Sequence, residues 1–331
     1  MGSSMCGIRL KFGVLRPVLV LGILAQLLFL PALVVAQAFE GVSLRPAPRS
    51  TANKAVFHKD VDLVLVPVTV LDAAERPVAG LRPDQFEVSD DKEFQRVRYF
   101  SRDDAPVAVA LVLDASASMA DRFEDARYAA QEFIAGSNEQ DLFHVILVGD
   151  VPRLLLGPSD AVGELPDSLG AIYPDGQTAL WDSVMVALQQ LRQAPIGRKA
   201  VVLITDGGDN QSRTSERELK SFLQESDVQL YVVAPYNPFA VRPEERRGPL
   251  ELAELASETG GRVVSVRDRA ETLAAVRQIS RELRDEYLLG YYPAHNHQSG
   301  KWHKLKVKLL DGQDSIHFRV SARKGYHEQG E

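Results

Sequence analysis

The sequence predicts an α/β fold: a doubly wound, mostly parallel, Rossmann-like sheet inserted into a β-sandwich that is assembled from the segments on either side of it. Three observations carry this. Residues 107–113 (VAVALVL) form an unbroken apolar run, the mark of a strand buried on both faces of a parallel sheet. From there to about residue 285, apolar runs alternate with segments whose apolar residues recur at helical spacing, the order that crossover helices on a parallel sheet require. Each flank holds three short strand-like segments, too few to close a core alone but enough for one together.

The elements follow in chain order. Residues 1–16 carry Arg9, Lys11 and Arg16 and no acid, residues 18–35 are uncharged and apolar, and Ala36-Gln37-Ala38 offers a small-x-small site. This is the pattern of a secretory signal peptide over 1–38, cleaved after Ala38, and it predicts a secreted, periplasmic or cell-envelope protein beginning at Phe39, with no stable membrane span after cleavage. The apolar run is also near the ~20 residues that cross a bilayer, so a retained N-terminal anchor is the alternative. Residues 39–59 mix Pro, Ser and basic residues without periodicity and read as a linker. The first part of the sandwich, 60–102, holds a Val- and Leu-rich strand from Asp60, a turn at 73–77, and strands at 86–88 and 95–100.

The α/β domain spans 103–285. After the strand at 107–113, Phe123, Ala126, Ala130, Phe133 and Ile134 mark a helix. Further strands are predicted at 142–148, 200–204, 229–233 and 262–266, and helices near 179–193, 215–225, 250–259 and 270–284. The segment 235–249, with four prolines and the run RPEERR, reads as a charged loop. The second part of the sandwich, 286–327, holds strands at 287–292, 304–309 and 315–321, the last two joined by a turn at Asp311-Gly312, and 328–331 is a tail.

Composition narrows the function. Across 331 residues, 38 basic against 45 acidic side chains give a net charge of −7, the opposite of a nucleic-acid footprint. The single cysteine, Cys6, lies in the leader, which excludes a disulfide framework and a Cys-based zinc site.

The chemistry concentrates where two strands end. Asp114-Ala115-Ser116-Ala117-Ser118 follows the strand at 107–113, Asp206 follows the strand at 200–204 in Ile204-Thr205-Asp206-Gly207-Gly208, and Thr178 in Gly176-Gln177-Thr178-Ala179-Leu180 stands at a helix start. Ligands of open α/β sheets bind beyond the carboxyl ends of the strands, where the strand order reverses. Two carboxylates and three hydroxyls converging there form an oxygen-only donor set suited to Mg²⁺, with Mn²⁺ or Ca²⁺ as alternatives. Only two of the donors are anionic, so a bound ion stays electrophilic enough to take a further carboxylate from outside. Taken singly, each match has a plainer reading: an Asx turn at Asp114, a helix cap at Thr178, a turn acid at Asp206.

Together, DASAS, GQTALWD and LITDGGD resemble the metal-ion-dependent adhesion site of von Willebrand factor type A domains, over residues 107–284. The resemblance implies that Ser116, Ser118 and Thr178 coordinate the ion, that Asp114 and Asp206 hold it directly or through waters, and that the partner is a protein offering an acidic residue. The flanking stretches LRPDQFEVSDDKEFQRVRYF, ETGGRVVSV and EYLLGYYP are similar to those of exported bacterial "VWFA-related" proteins. The reading is therefore a binding and adhesion module rather than an enzyme. Two alternatives stay open, a metal-dependent phosphohydrolase and a structural envelope protein with an incidental site. Against the first, aspartate-nucleophile phosphotransferases need a second acid two residues on, where this chain has Ser116. No P-loop, G-x-S-x-G or H-E-x-x-H motif is present. His295, His297 and His303 read as a solvated hairpin loop, His144 as a satisfied core or face histidine, and Trp181 as packing near the Thr178 loop.

Overall fold

A computed structural model describes residues 63–102, 104–158, 163, 165–236, 242–293, 301–310 and 318–327. The leader, the 39–59 linker, the 311–312 turn, His295, His297 and the 328–331 tail lie outside the described residues. The N-terminal flank forms β1 (Val64–Leu71), β2 (Phe86–Asp90), β3 (Glu93–Gln95) and β4 (Tyr99–Ser101). The middle of the chain forms β5 (Val107–Asp114), α1 (Phe123–Ala135), β6 (Leu142–Val148), β7 (Arg153–Leu156), α2 (Leu165–Gly170), α3 (Leu180–Gln193), β8 (Arg198–Ile204), α4 (Glu216–Glu225), β9 (Val228–Pro235), α5 (Pro243–Thr259), β10 (Val263–Val266) and α6 (Arg269–Arg284). The C-terminal flank adds β11 (Tyr287–Tyr291), β12 (Trp302–Leu309), β13 (Arg319–Ala322) and β14 (Gly325–His327).

The central sheet has the order β10-β9-β8-β5-β6-β7. Its pairings are parallel except for β7, an antiparallel edge strand against β6. Every residue of β5 is buried, because helices cover both faces. On one face Leu111 and Leu113 pack with Ala126 and Phe133 of α1 and Val276 and Ile279 of α6. On the other, Ala110 and Val112 meet Val184 of α3, Leu219 of α4 and Leu252 of α5. This double cover explains the unbroken apolar run, since no residue of the strand faces water.

The flanks form two antiparallel four-stranded sheets, β13-β1-β11-β4 and β14-β12-β2-β3, each drawing strands from both ends of the chain. Val66, Val68 and Val70 of β1 point inward at period two and pack with Phe86, Val88, Tyr287, Leu289 and Leu305. The Phe86, Phe100 and Tyr287 rings lie 5.3–5.9 Å apart, centroid to centroid.

Several local expectations are corrected. The strand expected over 95–100 is two strands in different sheets: β3 pairs β2, whereas β4 pairs β11, so residues 96–98 carry the chain from one sheet to the other. The expected hairpin between the last two strands is absent, because β12 pairs β2 and β14 while β13 pairs β1. The edge strands β7 and β14 and the short helix α2 are too brief to show a period in the sequence. Helix α5 begins at Pro243, so RPEERR is helical from that proline onward. Pro at the first helical position costs no hydrogen bond, which is why a proline-rich charged stretch still opens a helix. His303 is not in a solvated loop: it lies in β12 and is buried. His144 is buried in β6, but neither ring nitrogen has a hydrogen-bond partner, so it is not satisfied.

Two outcomes follow. Removing residues 286–331 takes away both neighbours of β1 and the long neighbour of β2, and residues 63–101 should then lose protection in limited proteolysis; retained protection would show that this half holds its fold alone. Burial of His144 lowers its pKa below the ordinary 6.5. The unfolded chain therefore binds the proton more readily than the folded one, and this residue makes stability fall as the pH drops below about 6.5. In denaturant titrations across that range, His144→Leu should flatten the slope.

Candidate metal site at the strand ends

The sheet order brings the predicted residues together. Strands β5 and β8 are neighbours. The chain runs outward from β5 through β6 and β7 on one side and from β8 through β9 and β10 on the other, so the order reverses between them. Asp114 is the last residue of β5, and Asp206 lies two residues past the end of β8. Ser116 is the residue before a short 3₁₀ turn, Ala117–Met119, and Thr178 lies just ahead of α3. Asp114, Ser116, Thr178 and Asp206 are buried, and Ser118 is exposed, which opens the group to solvent.

Hydrogen bonds stitch the loops into one frame. Asp114 Oδ1 accepts the Ser116 N–H at 3.0 Å, and its Oδ2 accepts the Thr205 hydroxyl at 2.5 Å. The same Thr205 oxygen accepts the Gly207 N–H at 3.0 Å, so one buried hydroxyl fixes both acidic loops. The Ser116 and Ser118 hydroxyl oxygens are 3.1 Å apart. The Ala117 N–H donates to the Gly176 carbonyl, the Thr178 N–H donates to Asn210 Oδ1 at 2.9 Å, and the Asn210 and Gln211 N–H groups both donate to the Thr178 carbonyl. Thr178 does not cap α3: Ala179 holds the N-cap position, and Asp209 accepts from the Leu180 and Trp181 N–H groups across the chain. Trp181 itself packs with Val184 in the helix-covered face of the sheet.

The electrostatics leave room for a cation. Burial pushes the Asp114 carboxyl up to about 6, offset in part by the Thr205 and Ser116 hydrogen bonds, and the Asp206 charge adds to the rise. Asp206 also moves up, through burial first and then through the negative charge of Glu245; the Ser118 hydroxyl opposes this. Asp206 Oδ1 is buried with no hydrogen-bond partner. A buried anionic oxygen without a donor is costly, and a cation answers it directly. The surrounding donors are all oxygens, the set a hard divalent ion takes. They fit such an ion, with Asp206, Ser116, Ser118 and Thr178 available to hold it and Asp114 anchoring the loop.

Sequence reasoning missed four residues. Thr205 and Asp209 lie inside the quoted LITDGGD stretch, yet their partners are in other loops. Glu245 and Gly248 come from α5. A Cβ on Gly248 would lie 1.6 Å from the Gly207 carbonyl oxygen, and Gly207 itself has φ of +93°, so helix and loop meet backbone to backbone and only glycine fits either position. The close approach sets Glu245 beside Asp206.

Residues 109–208, within the α/β part of this chain, match the family model of the von Willebrand factor type A domain. Among solved structures, it is similar to a von Willebrand factor type A protein from Catenulispora acidiphila (14% identity, 81% of this chain and 73% of that one, TM-score 0.46). It is also similar to an aerotolerance-related membrane protein from Bacteroides fragilis (24% identity, 54% and 98%, TM-score 0.42). A third is proximal thread matrix protein 1 of the mussel byssus, solved with its metal-ion-dependent adhesion motif occupied by zinc (19% identity, 60% and 50%, TM-score 0.47). No curated protein matches the chain. No helix of the described residues is long and apolar enough to cross a membrane.

Gly248→Ala should cost about 1–3 kcal/mol of unfolding free energy, because the methyl group must push α5 away from the Asp206 loop. The control Leu250→Ala, at a side chain 74% exposed, should stay within about 0.5 kcal/mol. Equal effects of the two in denaturant titration would mean that the contact is not under constraint.

Proposed function

We propose that this chain is an exported, Mg²⁺-dependent protein-binding module, an adhesion domain rather than an enzyme, and that a carboxylate from a partner protein completes the coordination of its ion. The observation that carries the reading is the buried, unpartnered Oδ1 of Asp206 beside Asp114 and the Ser116–Ser118 hydroxyl pair. An ion held there by Asp206 and neutral hydroxyls, with Asp114 anchoring the loop behind them, keeps net positive charge, so an added carboxylate is favoured by charge as well as by coordination.

The rim supports a protein partner. Tyr173 and Val151 are 87% and 71% exposed. Val151 follows Asp150, whose carboxylate accepts the Gln177 N–H at 2.6 Å in the Thr178 loop. Apolar and aromatic side chains around a central charged contact are the usual make-up of a recognition surface. Export rests on the leader pattern of the first 38 residues, and Mg²⁺ on the all-oxygen donor set.

The test is recovery of partners from a cell-envelope extract by wild type and Asp114→Ala, each with Mg²⁺ or a chelator. Recovery is expected only with wild type and Mg²⁺, and equal recovery in all four conditions would overturn the reading. Phosphoester turnover abolished by Asp114→Ala would mark a hydrolase instead.

A further inference from the structure

A second cluster of ligating side chains lies in the sandwich, away from the strand ends of the α/β domain. Asp90 ends β2, Asp91 begins the tight turn to β3, and His303 lies in β12 beside them. One ligand atom from each of the three falls within 4.8 Å of the others. His303 Nδ1 is 3.2 Å from Asp91 Oδ2 and 3.7 Å from Asp90 Oδ1. Asp90 is only 4% exposed, and its Oδ1 has no hydrogen-bond partner.

The surroundings hold these groups in place. The other oxygen of Asp90 accepts the hydroxyls of Tyr291 at 2.8 Å and Tyr326 at 2.9 Å, which fixes the carboxylate and leaves Oδ1 aimed at His303. The imidazole stacks on the Tyr326 ring, with centroids 5.2 Å apart and planes 21° from parallel. Asp91 Oδ1 accepts the Lys304 N–H at 2.9 Å, which turns Oδ2 toward the imidazole. Ligands at Zn–N and Zn–O distances of about 2.0–2.2 Å in a tetrahedron stand about 3.3–3.6 Å apart, and the two observed separations bracket that value. Hydrogen bonds that orient a ligating carboxylate are what metal sites place around their ligands.

We propose that Asp90 Oδ1, Asp91 Oδ2 and His303 Nδ1 bind a transition-metal ion, Zn²⁺ by preference, with water as the fourth ligand on the exposed side of Asp91. One imidazole nitrogen and two carboxylate oxygens suit Zn²⁺, whereas the all-oxygen set of the α/β domain suits Mg²⁺. The ion fastens the β2–β3 turn of the N-terminal flank to β12 of the C-terminal flank, a staple across the split sandwich. Binding displaces the Lys301 ammonium, which stands 3.6 Å from Asp91 Oδ2 on a side chain 57% exposed and so free to swing into water.

The test is calorimetric titration of the full chain with Zn²⁺ in excess Mg²⁺, with circular dichroism to establish that each variant is folded. Uptake of a single Zn²⁺ is expected in wild type and in Asp206→Ala, and affinity should fall at least roughly tenfold in Asp91→Asn and in His303→Gln. Asp91 is partly exposed, so its variant reports on ligation without opening the core. Bound Zn²⁺ should also slow proteolysis of the sandwich strands in wild type and leave His303→Gln unchanged. Absence of uptake in Asp206→Ala, or affinity equal to wild type in both Asp91→Asn and His303→Gln, would overturn the proposal and leave an ordinary carboxylate–imidazole pair.

Discussion

The pairing of β4 with β11 is the constraint on which the rest of the structure depends. These strands are the last before the α/β domain and the first after it, and they are antiparallel neighbours, with Ser101 opposite Leu288 and Tyr99 opposite Gly290. The inserted domain must therefore return its end to its beginning. Doubly wound domains can do so when the first strand is central and the last helix packs beside it, and here α6 and α1 share one face of the sheet. Charged contacts tighten the neck: Arg102 to Asp285 at 2.6 Å, Arg284 to Asp141 at 2.7 Å, and the Asp141 carboxylate to the Val107 N–H at 2.9 Å. The Asp141 side chain is 3% exposed, so the Arg284–Asp141 pair counts for more than a surface ion pair would. The sandwich in turn becomes possible only once the insert has brought the flanks together, because each of its sheets needs strands from both.

The same topology makes the candidate metal site. Starting the sheet in its middle puts β5 and β8 side by side with their carboxyl ends at the reversal point. Loops leaving such neighbours diverge to opposite faces and leave a crevice lined by backbone and short side chains. The chain uses that crevice economically: Thr205 ties the two acidic loops together, and Asp209 caps the helix whose preceding loop carries Thr178. Each acid there is held by donors belonging to another segment. A short motif in one loop could not fix this geometry by itself.

That division of labour explains what was legible in the sequence. The buried strand at 107–113 and the helical periods announced the α/β domain, because burial on two faces and amphipathic packing leave long, regular signals. Asp114, Ser116, Ser118, Thr178 and Asp206 were legible as candidates because they crowd at element ends. The supporting contacts were not. Gly248 touches Gly207 from more than forty residues away, and nothing local marks it. His303 looked solvated because its sequence neighbours are Gly, Ser and His, while its carboxylate neighbours arrive from β2, over two hundred residues earlier. Short edge strands such as β7 and β14 bury too few residues to impose a period.

Helix α5 joins the two halves of the molecule. Its first turns press Gly248 onto the Asp206 loop and place Glu245 near that carboxylate. Its last residue, Thr259, bridges to Arg323 beside β13, the Lys324 N–H donates to the Glu258 carbonyl at 3.0 Å, and Gly260, left-handed at φ +85°, lies where a Cβ would meet the Ala322 backbone at 2.8 Å. Across 17 residues, about 25 Å of helix, one element has backbone contact with the candidate ion-binding loop at one end and with the sandwich at the other. Pro249, inside the helix and next to Gly248, removes one backbone donor at the point of contact with the loop. The helix therefore lacks one backbone hydrogen bond where it meets the Asp206 loop, while at the sandwich its end is fastened by the Lys324–Glu258 backbone bond and the Thr259–Arg323 bridge.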